Sequence, residues 1–135
     1  MNVLAFDPHA SRVLLVDDDV DVRHAMQRAL SQAGLSVVEA ESGDTAAELI
    51  AEAEAFDMLV TDVRMPGQRD GVALAADWRE RVPGRPILFV SGFTGKHVDA
   101  AALGPHEAVL LKPFPRARLV DAVRNLLAGM SQAAV

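Results

Sequence analysis

The sequence predicts an α/β fold built on a parallel sheet, and two features of the chain support this class. Four short, mainly apolar runs, Val13–Val16, Met58–Thr61, Ile87–Val90 and Ala108–Leu111, have the length and composition of strands buried on both faces. Segments with helical patterns separate the strands, and strands joined through helices form right-handed crossovers in a parallel sheet. The chain has 135 residues, which suits one domain.

The first half of the chain follows this alternation element by element. After the first strand, Val20–Ala33 is predicted to be a helix, and Gly34 ends it with a left-handed residue. Its buried positions recur at helical spacing: Val22, Met26, Ala29, Leu30 and Ala33. Leu35–Ala40 is the second strand, and Ser42 is placed to cap a second helix. The buried stripe of that helix is expected to contain Ala46, Leu49, Ile50 and Ala53.

The third strand ends at Asp62, and the turn-rich loop Met65–Gly71 leads into a third helix that ends near Val82. The buried residues of this helix are expected to be Val72, Leu74 or Ala75, and Trp78. Three residues stop it: Pro83, Gly84 and Pro86.

The fourth strand, Ile87–Val90, precedes a weakly patterned fourth helix at about Gly95–Leu103, and the fifth strand precedes a last helix at Pro115–Ala128. The buried positions of the last helix are expected to be Leu119, Val123, Leu126 and Leu127.

Composition excludes several classes of function. The chain has no cysteine, which excludes disulfide frameworks, thiolate metal sites and cysteine nucleophiles. A net charge of -6 argues against direct binding to the nucleic-acid backbone, which needs a basic face. Residues 1–10 carry no export signal, and no apolar run is long enough to span a bilayer, so a cytoplasmic location without membrane attachment is expected.

Polar residues follow the predicted strands where each strand ends. Asp17 and Asp18 follow the first strand, Asp62 ends the third, Ser91 follows the fourth and Lys112 follows the fifth. Ligands of parallel sheets bind outside the carboxyl ends of the strands, so these groups are expected to converge on one rim. Acids, a hydroxyl and an ammonium together predict a magnesium-dependent phosphoryl-acceptor site.

Simpler explanations exist for each of these residues. Any of Asp17, Asp18 and Asp19 could cap the first helix, because aspartate is a favoured N-cap, and that role is expected for Asp19. Asp62 could be a loop acid beside Pro66. Lys112 is one of two lysines in the chain and follows four apolar residues, which is an unusual place for a solvated charge. The functional interpretation is therefore preferred for Asp17, Asp18, Asp62 and Lys112.

These motifs, over about Ser11 to Ala128, resemble the receiver domain of two-component response regulators. The resemblance implies a flavodoxin-like, doubly wound five-stranded parallel sheet in the order 2-1-3-4-5 with five helices. It also implies that a partner histidine kinase or histidine phosphotransfer protein phosphorylates Asp62. Residues 11–129 are expected to form the receiver domain, between an N-terminal extension at 1–10 and a C-terminal tail at 130–135.

The same resemblance assigns roles in the site. Asp18, Asp62 and the backbone carbonyl of Arg64 would bind Mg²⁺ directly, with Mn²⁺ as an alternative ion, and Asp17 would act mainly through a bound water. Lys112 and Ser91 would contact phosphate oxygens.

The sequence departs from the family pattern at two places. The loop after Met65 is one residue longer than the commonest form, as in receivers attached to hybrid kinases. Val109 occupies the position where many receivers carry the aromatic residue that rotates on phosphorylation. Phe93, in a glycine-flanked loop, is the candidate replacement for that switch.

The protein is therefore expected to be a single-domain, phosphorylated signalling module rather than an enzyme, with at most the ability to catalyse its own phosphorylation and dephosphorylation. It is expected to act on a separate downstream protein, as a monomer or a weak dimer. One alternative is a phosphohydrolase of the haloacid dehalogenase type, which also places an Asp-x-Asp sequence after its first strand. The other is a non-phosphorylated pseudo-receiver that serves only for docking.

Overall fold

The structure, a computed structural model, describes residues 10–65, 67, 69–92 and 103–133, which fold around a five-stranded parallel sheet. The strands are β1 (Arg12–Val16), β2 (Ser36–Ala40), β3 (Met58–Asp62), β4 (Ile87–Ser91) and β5 (Glu107–Leu111). Their order is β2-β1-β3-β4-β5, and every neighbouring pair is parallel. The predicted fold class and strand order are confirmed.

Four α-helices lie in the described part of the chain, together with one 3-10 turn at Ala53–Ala55. The helices are α1 (Val20–Gln32), α2 (Gly43–Ile50), α3 (Gly71–Arg81) and α4 (Arg116–Ala133). The fourth predicted helix, at about Gly95–Leu103, lies outside the described residues apart from Leu103, and Phe93 lies outside them too. None of the described helices is long and apolar enough to cross a membrane.

The helix ends have the chemistry that the sequence predicts. The Asp19 carboxylate accepts hydrogen bonds from the backbone N–H groups of Asp21 and Val22, so Asp19 is the N-cap of α1. Gly34 has a φ of +94° just after the helix, in the left-handed region. Ser42 caps α2 by accepting from the Thr45 N–H.

Three helices differ from the prediction. The helix α2 ends at Ile50, so Ala53, which was predicted to lie on the buried stripe of that helix, is instead buried in the 3-10 turn that follows. Val72 is 43% exposed, so its predicted burial is wrong, because Gly71 occupies the buried position in the first turn of α3. The buried face of that helix then continues through Leu74, Ala75 and Trp78. The last helix, α4, passes through Gly129 and ends at Ala133 instead of Ala128. Glycine inside a helix costs about 1 kcal/mol relative to alanine, which a long helix tolerates.

The sheet separates two layers of core. Leu14 and Val16 of β1 face α2 and α3, whereas Val13 and Leu15 face α1 and α4. This alternation shows that β1 is buried on both faces, as the apolar run predicts, and β3 and β4 are likewise fully buried. Trp78 is completely buried on the α2 and α3 side, and its indole N–H donates to the Arg85 carbonyl at 3.2 Å.

The strand β5 departs from this pattern. Leu110 is its single buried residue, and Leu111 is 50% exposed, so the prediction that this run is buried on both faces is wrong. β5 lies at the edge of the sheet and has one neighbouring strand, β4, so less of its surface is covered. Val109, at the position of the missing aromatic residue, packs partly buried against the core on the α2 and α3 side.

Candidate functional site

The strand register brings the predicted polar residues to one edge of the sheet. Asp62 pairs with Val90 in the register of β3 and β4, so Ser91 lies one residue further along the same rim. Ser91 pairs with Leu111 of β5, and the Lys112 N–H donates to the Ser91 carbonyl at 2.8 Å. Ser91 itself is buried, at 3% exposure. The predicted convergence of these groups at the carboxyl ends of the strands is therefore what the fold produces.

Three carboxylates form the centre of this rim. One oxygen from each of Asp17, Asp18 and Asp62 lies within 4.8 Å of the others. Asp17 and Asp62 are buried, whereas Asp18 is exposed. Hard divalent cations prefer oxygen ligands, and Mg²⁺ needs only one or two carboxylates because it retains water. The donor set therefore fits a divalent cation with one side open to solvent.

Lys112 supplies the positive charge at the site. Its Nζ lies 3.1 Å from Asp17 Oδ2 and 3.5 Å from Asp62 Oδ2. Burial alone lowers the pKa of Lys112, but the carboxylates of Asp17 and Asp62 more than offset this, and its pKa is raised. The ammonium is therefore charged at neutral pH and faces both buried acids. The Lys112–Pro113 peptide bond is cis.

The environment of Asp62 disfavours its charged form. Burial, followed by the neighbouring Asp17 carboxylate, raises the pKa of Asp62 above its ordinary value, while Lys112 and the Val63 backbone N–H lower it. The carboxylate is thus held in a site where its negative charge is not fully compensated by protein groups. A bound cation would complete that compensation.

The backbone of Asp62 is fixed from behind by the start of α3. The Gly71 N–H donates to the Val63 carbonyl at 2.9 Å, and a Cβ placed on Gly71 would lie 2.0 Å from the Asp62 carbonyl oxygen. Only glycine allows this approach of helix to strand. This role of Gly71 was not predicted from the sequence, although a glycine directly after the capping residue Asp70 is a usable signal.

Asp17 is the most completely bonded acid of the cluster. Its N–H donates to the Ala40 carbonyl at 3.2 Å, and its Oδ1 accepts from the Asp19 N–H at 2.9 Å. Its carbonyl accepts from Arg23 Nη1 at 2.8 Å. Together with the Lys112 contact, these bonds fix both the backbone and the side chain of a residue with no solvent exposure.

The remaining predicted residues take more peripheral positions. Arg64, whose carbonyl is a predicted metal ligand, follows β3 by two residues and has an exposed side chain. Arg23 was not singled out from sequence. The sequence does contain a signal for Arg23: the helix dipole disfavours a cation near the N-terminus of a helix, so an arginine there suggests that a nearby acceptor or acid compensates for it.

Comparison with known proteins bears on this arrangement. The family model for the response regulator receiver domain matches residues 13–124. The response regulator receiver protein CpdR of Brucella abortus is 37% identical over 117 residues, which cover 86% of this chain and 96% of CpdR. The response regulator protein FleR of Pseudomonas aeruginosa is 36% identical over 122 residues, 89% of this chain but 25% of FleR.

A solved structure shows the same architecture. The response regulator receiver protein from Sinorhizobium medicae WSM419 superposes with a TM-score of 0.84 at 33% identity, covering 92% of this chain and 99% of that chain. Fold and rim together define a doubly wound α/β domain with an acidic cluster and a lysine at the carboxyl ends of its strands. The chain belongs to the response regulator receiver domain family. This is a family of signalling phosphoacceptors, and it does not favour the haloacid dehalogenase alternative.

Proposed function

We propose that the chain accepts a phosphoryl group on Asp62, in a reaction that depends on Mg²⁺, from the phosphohistidine of a cytoplasmic histidine kinase or histidine phosphotransfer protein. The observation that carries this proposal is the pairing of Lys112 with both Asp17 and Asp62 beside a third carboxylate, Asp18. A charged lysine at a cluster of acids provides contacts for the phosphoryl oxygens without neutralising the nucleophile completely. Membership of the receiver family supports the choice of donor.

In the proposed transfer, an Oδ atom of Asp62 attacks phosphorus. The P–O bond to Asp62 forms while the P–N bond to the donor imidazole breaks, and the imidazole keeps the electron pair of that bond. Such transfers depend mainly on positioning and on neutralisation of the phosphoryl charge. When bound, Mg²⁺ supplies much of that neutralisation.

The residues of the chain divide the remaining work. Asp18, Asp62 and the backbone carbonyl of Arg64 would bind the cation directly, and Asp17 would act mainly through a bound water. Lys112 can turn from Asp62 towards a phosphoryl oxygen, since its Nζ is already within 3.5 Å of the acceptor carboxylate. Ser91, buried beside β5, is the proposed hydroxyl donor to a second phosphoryl oxygen. The phosphorylated form is then read by a downstream protein.

The test uses acetyl phosphate as a small donor in the presence of Mg²⁺. Intact-protein mass spectrometry should show one added phosphoryl group in the parent and none in Asp62→Asn. Asp121→Asn removes the same charge from an exposed position on α4 and should be phosphorylated like the parent. If Asp62→Asn gains phosphate as readily as the parent, the acceptor is another residue. Sustained turnover of unrelated phosphate esters without a trapped intermediate would instead support the phosphohydrolase alternative.

A further inference from the structure

Arg23 links the first turns of α1 to the acid cluster without being one of its ligands. Its side chain is only 12% exposed. Nη1 donates to the backbone carbonyl of Asp17 at 2.8 Å, and Nε donates to Oε1 of Glu39 on β2 at 3.0 Å. One planar guanidinium therefore bridges the loop after β1 and the neighbouring strand.

The position of Arg23 is unfavourable on local grounds. It is the fourth residue of α1, close to the positive end of the helix dipole, and most of its side chain is removed from water. A buried guanidinium needs a charged partner and satisfied donors to be tolerated. Glu39 provides the charge, and the Asp17 carbonyl accepts one of the remaining N–H groups.

The bonded carbonyl belongs to the peptide group between Asp17 and Asp18. This group is planar, so a hydrogen bond that fixes the carbonyl also fixes the direction in which the chain enters Asp18. On the other side of Asp18, the Asp19 N–H is held by Asp17 Oδ1 at 2.9 Å. The exposed acid Asp18 thus lies between two anchored peptide groups, and its carboxylate comes within 4.8 Å of those of Asp17 and Asp62.

We infer that Arg23, held in place by Glu39, is a positioning residue that orients the Asp17–Asp18 peptide so that both carboxylates face the divalent cation. The inference rests on the proposed function, because it takes the acid cluster to be the cation site. Residues that orient metal ligands through hydrogen bonds, without contacting the metal, typically change metal affinity by about 10- to 100-fold when they are substituted.

Electrostatics alone predicts the opposite sign, which makes the experiment decisive. Removing a positive charge near a cation site reduces repulsion, so a pure charge effect would make Arg23→Met bind Mg²⁺ more tightly. Loss of positioning makes the same variant bind more weakly. Arg28→Met removes a positive charge from an exposed position on the same helix and measures the charge effect by itself.

Mg²⁺ affinity is measured by titration of the amide NMR signals of Asp18 and its neighbours, without any phosphodonor. We expect the dissociation constant of Arg23→Met to rise about tenfold and that of Arg28→Met to stay equal or fall slightly. Arg23→Lys should recover part of the affinity, because an ammonium can donate to the carbonyl but cannot hold both partners in one fixed plane. Glu39→Gln, which keeps one acceptor oxygen, should have a smaller effect than Arg23→Met.

The unfolding free energy in chelator is measured for each variant as well. A merely structural Arg23 would lower stability while leaving the Mg²⁺ dissociation constant of the folded protein unchanged, and that result overturns the inference. So does tighter binding by Arg23→Met, or a parent that binds no Mg²⁺. If the parent binds Mg²⁺ and Arg23→Met binds it more weakly, the inference stands whether or not acetyl phosphate modifies Asp62. Failure of acetyl phosphate to modify Asp62 would refute the proposed function alone.

Discussion

Replacing Asp62 by asparagine should stabilise the metal-free protein at neutral pH, although it removes the proposed phosphoacceptor. Asp62 is buried beside Asp17, and its pKa is raised for both reasons. Asparagine has nearly the same shape and keeps an oxygen that can accept from Lys112, but it carries no charge. The substitution therefore removes an uncompensated carboxylate at little cost in packing.

The distances give the size of the effect. At an effective dielectric constant of about 20, the Asp17 and Asp62 carboxylates, which come within 4.8 Å of each other, repel by at least about 3.5 kcal/mol, and Lys112 at 3.5 Å attracts Asp62 by about 4.7 kcal/mol. The repulsion therefore offsets most of the attraction, and the cost of moving the carboxylate out of water, several kcal/mol for a fully buried ion, exceeds the remainder. For a side chain that keeps 12% of its exposure, we expect a net gain of about 1–2 kcal/mol in Asp62→Asn.

The pH dependence of this gain has a definite sign. Because the pKa of Asp62 is higher in the folded protein than its ordinary value of 3.8, the folded state holds the proton to higher pH than the unfolded state does. The parent thus loses stability as the pH rises through the raised pKa. Below the ordinary value both states are protonated, and the difference between parent and Asp62→Asn should vanish.

Urea denaturation in chelator, from about pH 4 to pH 8, measures the difference directly. Asp121→Asn, with the same change of charge on an exposed helix face, should stay within about 0.5 kcal/mol of the parent. Saturating Mg²⁺ should reverse the order of parent and Asp62→Asn, since at about 100 times its dissociation constant a ligand stabilises the folded state by about 2.7 kcal/mol. An Asp62→Asn variant no more stable than the parent at neutral pH in chelator would refute the reasoning.

Two further substitutions test the surroundings of the acceptor. Lys112→Met leaves the buried carboxylates of Asp17 and Asp62 without the lysine ammonium, so the unfolding free energy in chelator should fall by about 3 kcal/mol. The phosphorylation-induced NMR shifts near Pro113 should also shrink, and unchanged shifts would contradict a role of Lys112 in coupling the phosphoryl group to this loop. Gly71→Ala forces a methyl group against the Asp62 carbonyl and should cost at least about 2 kcal/mol in urea denaturation, whereas Gly129→Ala, with open space around it in α4, should gain up to about 1 kcal/mol. Equal effects of the two alanines would show that Gly71 does not support the acceptor.

Much of the site could be predicted from sequence because it depends on one rule of topology. Parallel strands place their carboxyl ends at one edge, so the residues that follow the apolar runs, such as Asp17, Asp62 and Lys112, meet there whatever the loops do. The cap at Asp19 was predictable for a similar reason, since it depends on local hydrogen bonds.

The failures concern features that only tertiary packing decides. The apolar patterns predict that Val72 and Leu111 are buried. Val72 is exposed because Gly71 takes the position next to β3, and Leu111 is exposed because β5 lies at the edge of the sheet. The bridge from Arg23 to Glu39 joins residues of different elements, and no periodic pattern connects them.

The chain also carries its own optical label at one defined place. Trp78 is the single tryptophan and there is no tyrosine, so near-ultraviolet absorption and intrinsic fluorescence are dominated by one indole. That indole is completely buried and donates to the turn after α3, in the same helix whose first residue supports Asp62. Seven residues of helix, about 10 Å along the axis, separate Gly71 from Trp78. The emission spectrum of the native protein consequently reports on the packing of α3 against the sheet, without any added fluorophore.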